Sequence, residues 1–159
     1  MPDELLLITP VNDNFRRDVE LVDPTLLDPT EADALIQGEW ITLDSTGLKA
    51  VRAVAGDRGA MQVFTPKGDT SAQAIGKTAV LQLHEYEAET TIFDDAFAGA
   101  VGDPLTVDTI TLDTVAAIFS GLRAATVSGD VVYGFVTRIP SANNGKLRFQ
   151  KSNTGAVIP

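Results

Sequence analysis

From Glu39 onward the apolar residues fall into short runs rich in Val, Ile, Thr and aromatics, separated by Gly, Asp and Asn. Such runs suit a pleated, half-buried surface, and their succession predicts an all-β fold, a small β-barrel or β-sandwich. Residues 39–43 and 48–54 flank the turn Asp44-Ser45-Thr46-Gly47 as a hairpin, and the run 61–65 follows the turn Gly56-Asp57-Arg58-Gly59. The longest run, residues 79–93, predicts one strand whose Glu85, Glu87 and Glu89 share a solvent-facing side through the two-residue period. Residues 109–126 read either as a short helix capped by Asp113 or as strands around Ser120-Gly121, with strands preferred. Residues 131–137 predict a buried strand, and Ser141-Ala142-Asn143-Asn144-Gly145 a hairpin turn ahead of residues 146–150.

Residues 1–37 depart from this pattern. Leu5-Leu6-Leu7-Ile8 is an apolar run closed by Pro10, which cannot continue a central strand, so an edge strand is expected. Asp23-Pro24 and Asp28-Pro29 then interrupt regular structure, because each proline fixes its own φ and biases the residue before it toward extended backbone. One short helix is expected after them, with Asp28 as N-cap, Pro29 at the first helical position, Glu31 at the capping-box position and a stop at Gly38. The organisation predicted is an extended N-terminal arm over 1–37, a β body over 38–151 and a C-terminal tail over 152–159. Such an arm either packs on its own domain as a first strand or adds a strand to a neighbour's sheet through main-chain hydrogen bonds. The acidic path between arm and body favours the neighbour.

A chain of 159 residues suffices for one domain with a real core and is short for two. No apolar run approaches the roughly 20 residues a bilayer-spanning helix needs, so a soluble chain without membrane contact is expected. The first charges are Asp3 and Glu4, unlike the basic start of a secretory leader. The absence of cysteine removes disulfide and thiolate chemistry and suits a reducing cytosol. A net charge of -10 disfavours nucleic acid as a partner, since phosphate binding relies on Lys and Arg displacing counterions. That charge is uneven. Residues 1–37 carry nine acids against Arg16 and Arg17, whereas residues 138–159 carry Arg138, Lys146, Arg148 and Lys151 with no acid. Attraction between the two ends, within or between subunits, follows from that asymmetry, and solvated charge is the plain alternative.

Catalytic chemistry finds little purchase. The single histidine, His84, shares its strand face with Gln82 and Tyr86 rather than with Glu85. With one His and no Cys, only an all-carboxylate Ca²⁺ site is open, at Asp94-Asp95 or on the Glu85, Glu87, Glu89 face, and neither has EF-hand spacing. No G-x-S-x-G occurs, and the glycines around Asp57-Arg58 precede strand residues where a phosphate cradle needs a helix N-terminus. Acids are plentiful enough for sugar cleavage, but abundance does not place a pair. The reading is a non-enzyme with no cofactor. Trp40 is expected in the core, with a sugar-stacking platform or an interface anchor as alternatives.

Four pieces carry a resemblance: Gly38-Glu39-Trp40-Ile41-Thr42-Leu43-Asp44, the stretch from Phe93 with Gly102-Asp103-Pro104-Leu105, Val131-Val132-Tyr133-Gly134-Phe135-Val136, and Asn144-Gly145-Lys146-Leu147-Arg148-Phe149. Together they resemble the capsid decoration, or cement, proteins of tailed bacteriophages. The resemblance implies a small β-barrel that joins the outer surface of the expanded virion head after assembly in the bacterial cytoplasm. It implies the major capsid protein as partner and a homo-oligomer, with a trimer favoured. Leu5, Leu6, Leu7, Ile8, Arg16, Arg17, Arg138, Lys146 and Arg148 are the expected interface residues. The alternatives are another virion component, such as a head-fibre base or tail protein, and a carbohydrate-binding β module using Trp40, Tyr86 or Tyr133.

Overall fold

A computed structural model describes residues 5–8, 16–66, 75–82, 85–112, 115–152 and 155–159, with backbone alone at 115–117. Its described strands form two antiparallel sheets. The first has the order β1 (Leu5–Leu7), β7 (Tyr86–Thr90), β11 (Leu147–Lys151), β10 (Gly134–Arg138), β8 (Pro104–Leu112) and β9 (Val115–Ala124). The second has the order β2 (Arg16–Glu20), β6 (Lys77–Leu81), β5 (Met61–Thr65), β3 (Trp40–Leu43) and β4 (Ala50–Arg52). Both sheets curl. In the second, Leu21 makes a parallel bridge to Ala50, so the chain leaving one edge strand touches the other edge. In the first, Phe93 bridges Leu122 just after β7 has ended. The all-β expectation is thus met.

The main core lies between the sheets. Trp40 and Leu81 from the second sheet pack with Leu5, Tyr86, Leu105, Leu122, Tyr133, Leu147 and Phe149 from the first and its loops. Trp40 is fully buried, its ring centroid 5.6 Å from that of Tyr133 and 6.3 Å from that of Phe149. A second cluster, with Val19, Leu21, Leu35, Ile41, Ala50, Val63 and Val80, fills the inside of the five-stranded sheet. Two buried tyrosines carry hydrogen bonds between the two halves of the fold, where leaving such a group unpaired would cost about 1–3 kcal/mol. Tyr86 Oη donates to Gln62 Oε1 at 2.7 Å, and Gln62 Nε2 donates to the Gly38 carbonyl at 3.1 Å. Tyr133 Oη accepts from the Ala60 N–H and donates to the Asp57 carbonyl.

Four expectations need correction. The described residues of the segment 1–37 do not stand apart from the body: β1 pairs with β7 and β2 with β6, so they supply one edge strand to each of this chain's own sheets. The physical reason is alternation, since Leu5 and Val19 point inward and are 4% and 3% exposed. The helix expected from Asp28 is absent among the described residues; a 3₁₀ turn spans Pro24–Leu27 instead. Asp28 Oδ1 accepts from the N–H and hydroxyl of Thr30, a local turn that competes with helix, and Leu35 N–H returns to the Leu26 carbonyl. The run 79–93 is two strands, β6 and β7, in different sheets.

The described residues of the C-terminal tail, 152 and 155–159, also differ from their expectation, because they prolong the β10–β11 ladder. Ser152 N–H donates to the Tyr133 carbonyl, Val132 N–H to Ala156, and Ile158 N–H to Asp130, with Val131 and Val157 bridging between them. At the head of that ladder a side chain on Gly134 would run into the Gln150 backbone, so the close approach itself selects glycine.

Candidate docking face

The outward side of the six-stranded sheet collects several interface residues named from the sequence. On β1, Leu5 points into the core and Leu7 packs against it, while Leu6 is 43% exposed and Ile8 also lies at the surface. Register carries Leu6 across to Glu89 on β7, Glu89 to Arg148 on β11, and Arg148 to Arg138 on β10. Directly paired residues share a face, so these four side chains form one row across the sheet. The next row holds Glu87, Gln150 and Phe135, with Thr137 Oγ1 donating to Glu87 Oε1. A bulge between Val136 and Arg138 brings Thr137 and Arg138 onto the same side.

Glu89 organises the centre of this row. Its Oε1 accepts from Arg138 Nη2 at 2.6 Å, Arg148 Nε at 2.9 Å and Arg148 Nη2 at 2.6 Å. Burial alone would raise its carboxyl, but the Arg148 hydrogen bonds and the charges of both arginines outweigh that and hold it below the ordinary glutamate value. Sequence period placed Glu89 in solvent beside Glu85 and Glu87; it is instead nearly covered, by guanidinium groups 49 and 59 residues further along the chain. No local pattern announces a pairing of that range. The corresponding expectation of a basic C-terminal section is changed too, since Arg138 and Arg148 share Glu89 within the chain.

The remaining named residues are dispersed. Lys146 is half-buried just before β11, its N–H donating to Asn144 Oδ1. Lys151 points inward, with Nζ 5.6 Å from the Tyr86 ring centroid, and burial pushes its ammonium down. Arg16 and Arg17 lie on β2 of the other sheet, Arg16 over the Phe64 ring at 5.3 Å and Arg17 exposed. His84 lies outside the described residues.

Two further ion-pair centres escaped the sequence reading, and both fasten the fold. Glu39, fully buried, accepts from Arg52 Nε, Arg52 Nη2, the Ile36 N–H and the Ser120 N–H, joining β4 of one sheet to β9 of the other. Asp130 takes Arg123 in a two-pronged pair and caps the Thr126 and Val127 N–H groups. The Arg123 hydrogen bonds hold its carboxyl below the usual range. Among the described residues, no three His, Asp or Glu side chains gather as a metal cluster. Trp40, Tyr86 and Tyr133, the rings assigned to sugar stacking, are 0%, 1% and 4% exposed and offer no open face.

Comparison with protein-family models, with curated proteins and with solved structures returns no match.

Proposed function

We propose that this chain is a structural docking protein of a tailed-bacteriophage head, a decoration protein that binds the outer shell and ties neighbouring major capsid protein subunits together. The observation that carries the reading is the face built on Glu89, Arg138 and Arg148, where a preorganised charged centre sits beside the exposed Leu6. Interfaces combine apolar anchors with arginine in this way, and a rigid sheet presents both without an ordering cost. Among the described residues no strand pairs with the outer side of β1, which leaves that edge available to a strand of the shell or of a second subunit. On this reading the protein acts at the virion surface as a homo-oligomer, and repeated weak contacts around the shell add through effective concentration. The four pieces that resemble cement proteins support the same role, and all four reach strands or loops that contribute to the main core. The burial of Trp40, Tyr86 and Tyr133 counts against the glycan-binding alternative.

The test is cosedimentation of the purified chain with heads of the phage that encodes it. Saturable binding to expanded heads, and not to unexpanded precursors, is expected. Failure to sediment with either would overturn the reading.

A further inference from the structure

Arg138 and Arg148 do not spend all their donors on Glu89. Arg138 reaches it through Nη2 alone and Arg148 through Nε and Nη2, while their side chains remain 38% and 31% exposed. Among the described residues both guanidiniums therefore keep Nη1 in reserve, and all three bonds converge on one oxygen of one carboxylate. An arginine fixed by a buried acid is a preorganised receptor for a second carboxylate, because little side-chain entropy remains to be lost when the fork is engaged.

Local charge agrees. The rows of this face and the residue leading into β11 carry Arg138, Arg148 and Lys146 against Glu87 and Glu89, a small positive excess on a chain of net charge -10. At physiological ionic strength the Debye length is about 8 Å, so a group arriving at this face responds to that local excess more than to the whole chain. Leu6, in register with Glu89, and Phe135, 38% exposed one row along, supply apolar surface on the two flanks.

We infer that the Arg138–Arg148 pair is the anchor for an acidic side chain of the partner protein, carried on a segment whose neighbouring apolar residues pack on Leu6 and Phe135. This rests on the docking role proposed above and names the chemistry of the surface that this face recognises. A foreign partner is favoured over a second copy docked through the same face, because that copy would bring the same local positive excess of Arg138, Arg148 and Lys146 against Glu87 and Glu89.

Two measurements test the anchor separately from the role. In the first, the side-chain Nε–H signals of Arg138 and Arg148 are followed by ¹⁵N NMR while acetyl-Leu-Glu-Leu-amide, or its Gln counterpart, is added to the wild-type chain. Shifts of both arginines with the Glu peptide and not with the Gln peptide are expected; equal response, or none, overturns the anchor. The second compares Arg138→Gln, Arg138→Lys and the control Arg58→Gln in head cosedimentation. Arg138→Gln leaves Arg148 to hold Glu89, so the fold is retained. Affinity should fall by about tenfold or more in Arg138→Gln, as expected for losing a charge-assisted contact, by less in Arg138→Lys, and not in Arg58→Gln. Wild-type binding that Arg138→Gln leaves unchanged overturns the anchor while the docking role survives. Absence of wild-type binding overturns the role, and the peptide titration then decides the anchor alone. Salt-sensitive self-association of the wild type that Arg138→Gln abolishes would assign the pair to a second copy and overturn the foreign carboxylate.

Discussion

Glu39 and Glu89 are both acids covered by arginine, yet they do opposite jobs. Around Glu39 the bonding is complete: four donors, two of them main-chain N–H groups, close around a carboxylate with no exposure, and the acid binds the two sheets into one body. Around Glu89 the donors are side chains from two adjacent strands of one sheet, and their far sides reach solvent. A buried pair of the first kind is chiefly costly to break, whereas a pair of the second kind adds little to stability and much to surface organisation. The difference teaches that the number of main-chain partners, more than the ion pair itself, separates a fastening from a display.

The largest effect should come from Glu39→Ala. It strands Arg52 and two N–H groups inside the protein, and breaking a buried pair by removing one partner costs about 3–5 kcal/mol. Chemical denaturation should show the midpoint falling accordingly; a loss comparable to that of a surface mutant would erase the contrast between the two acids. A smaller effect is expected from Glu89→Gln, about 1 kcal/mol or less, because its partners are partly solvated. It should also change the pH profile. The Glu89 carboxyl is depressed in the folded state, so its contribution is present above the ordinary value of 4.5 and is lost as pH falls below it. Denaturation midpoints taken between neutral pH and pH 3 should therefore decline less steeply in Glu89→Gln than in the wild type. The smallest effect on stability belongs to Leu6→Ala, within about 0.5 kcal/mol, since the side chain is already at the surface. On the proposed docking role, head binding should by contrast weaken measurably in the same variant, and an unaltered cosedimentation curve would remove Leu6 from the proposed face.

The strand body was legible because β-branched and aromatic runs, cut by Gly and Asp, encode pleated elements locally. The run 61–65 coincides with β5, and the preference for strands over 109–126 agrees with β8 and β9. The break between β6 and β7 was hidden because the residues on both sides of it share one hydrophobic texture; only the separation into different sheets reveals it. Asp28 shows the limit of capping rules: the letters suit a helix start, but Thr30 offers a nearer pair of hydrogen bonds. Leu6, Ile8, Arg138 and Arg148 were reachable as exposed or basic residues, yet the acid that brings the arginines together was not, because its partners are distant in sequence.

β1 is only three residues long, and its pairing with β7 is what decides which leucine the exterior displays. Sliding it by a single position would turn Leu6 inward and push Leu5 and Leu7 out, exchanging the printed side of the strand for its reverse. A one-residue change in the register of this short strand thus rewrites what an approaching molecule meets while leaving the chain's composition untouched.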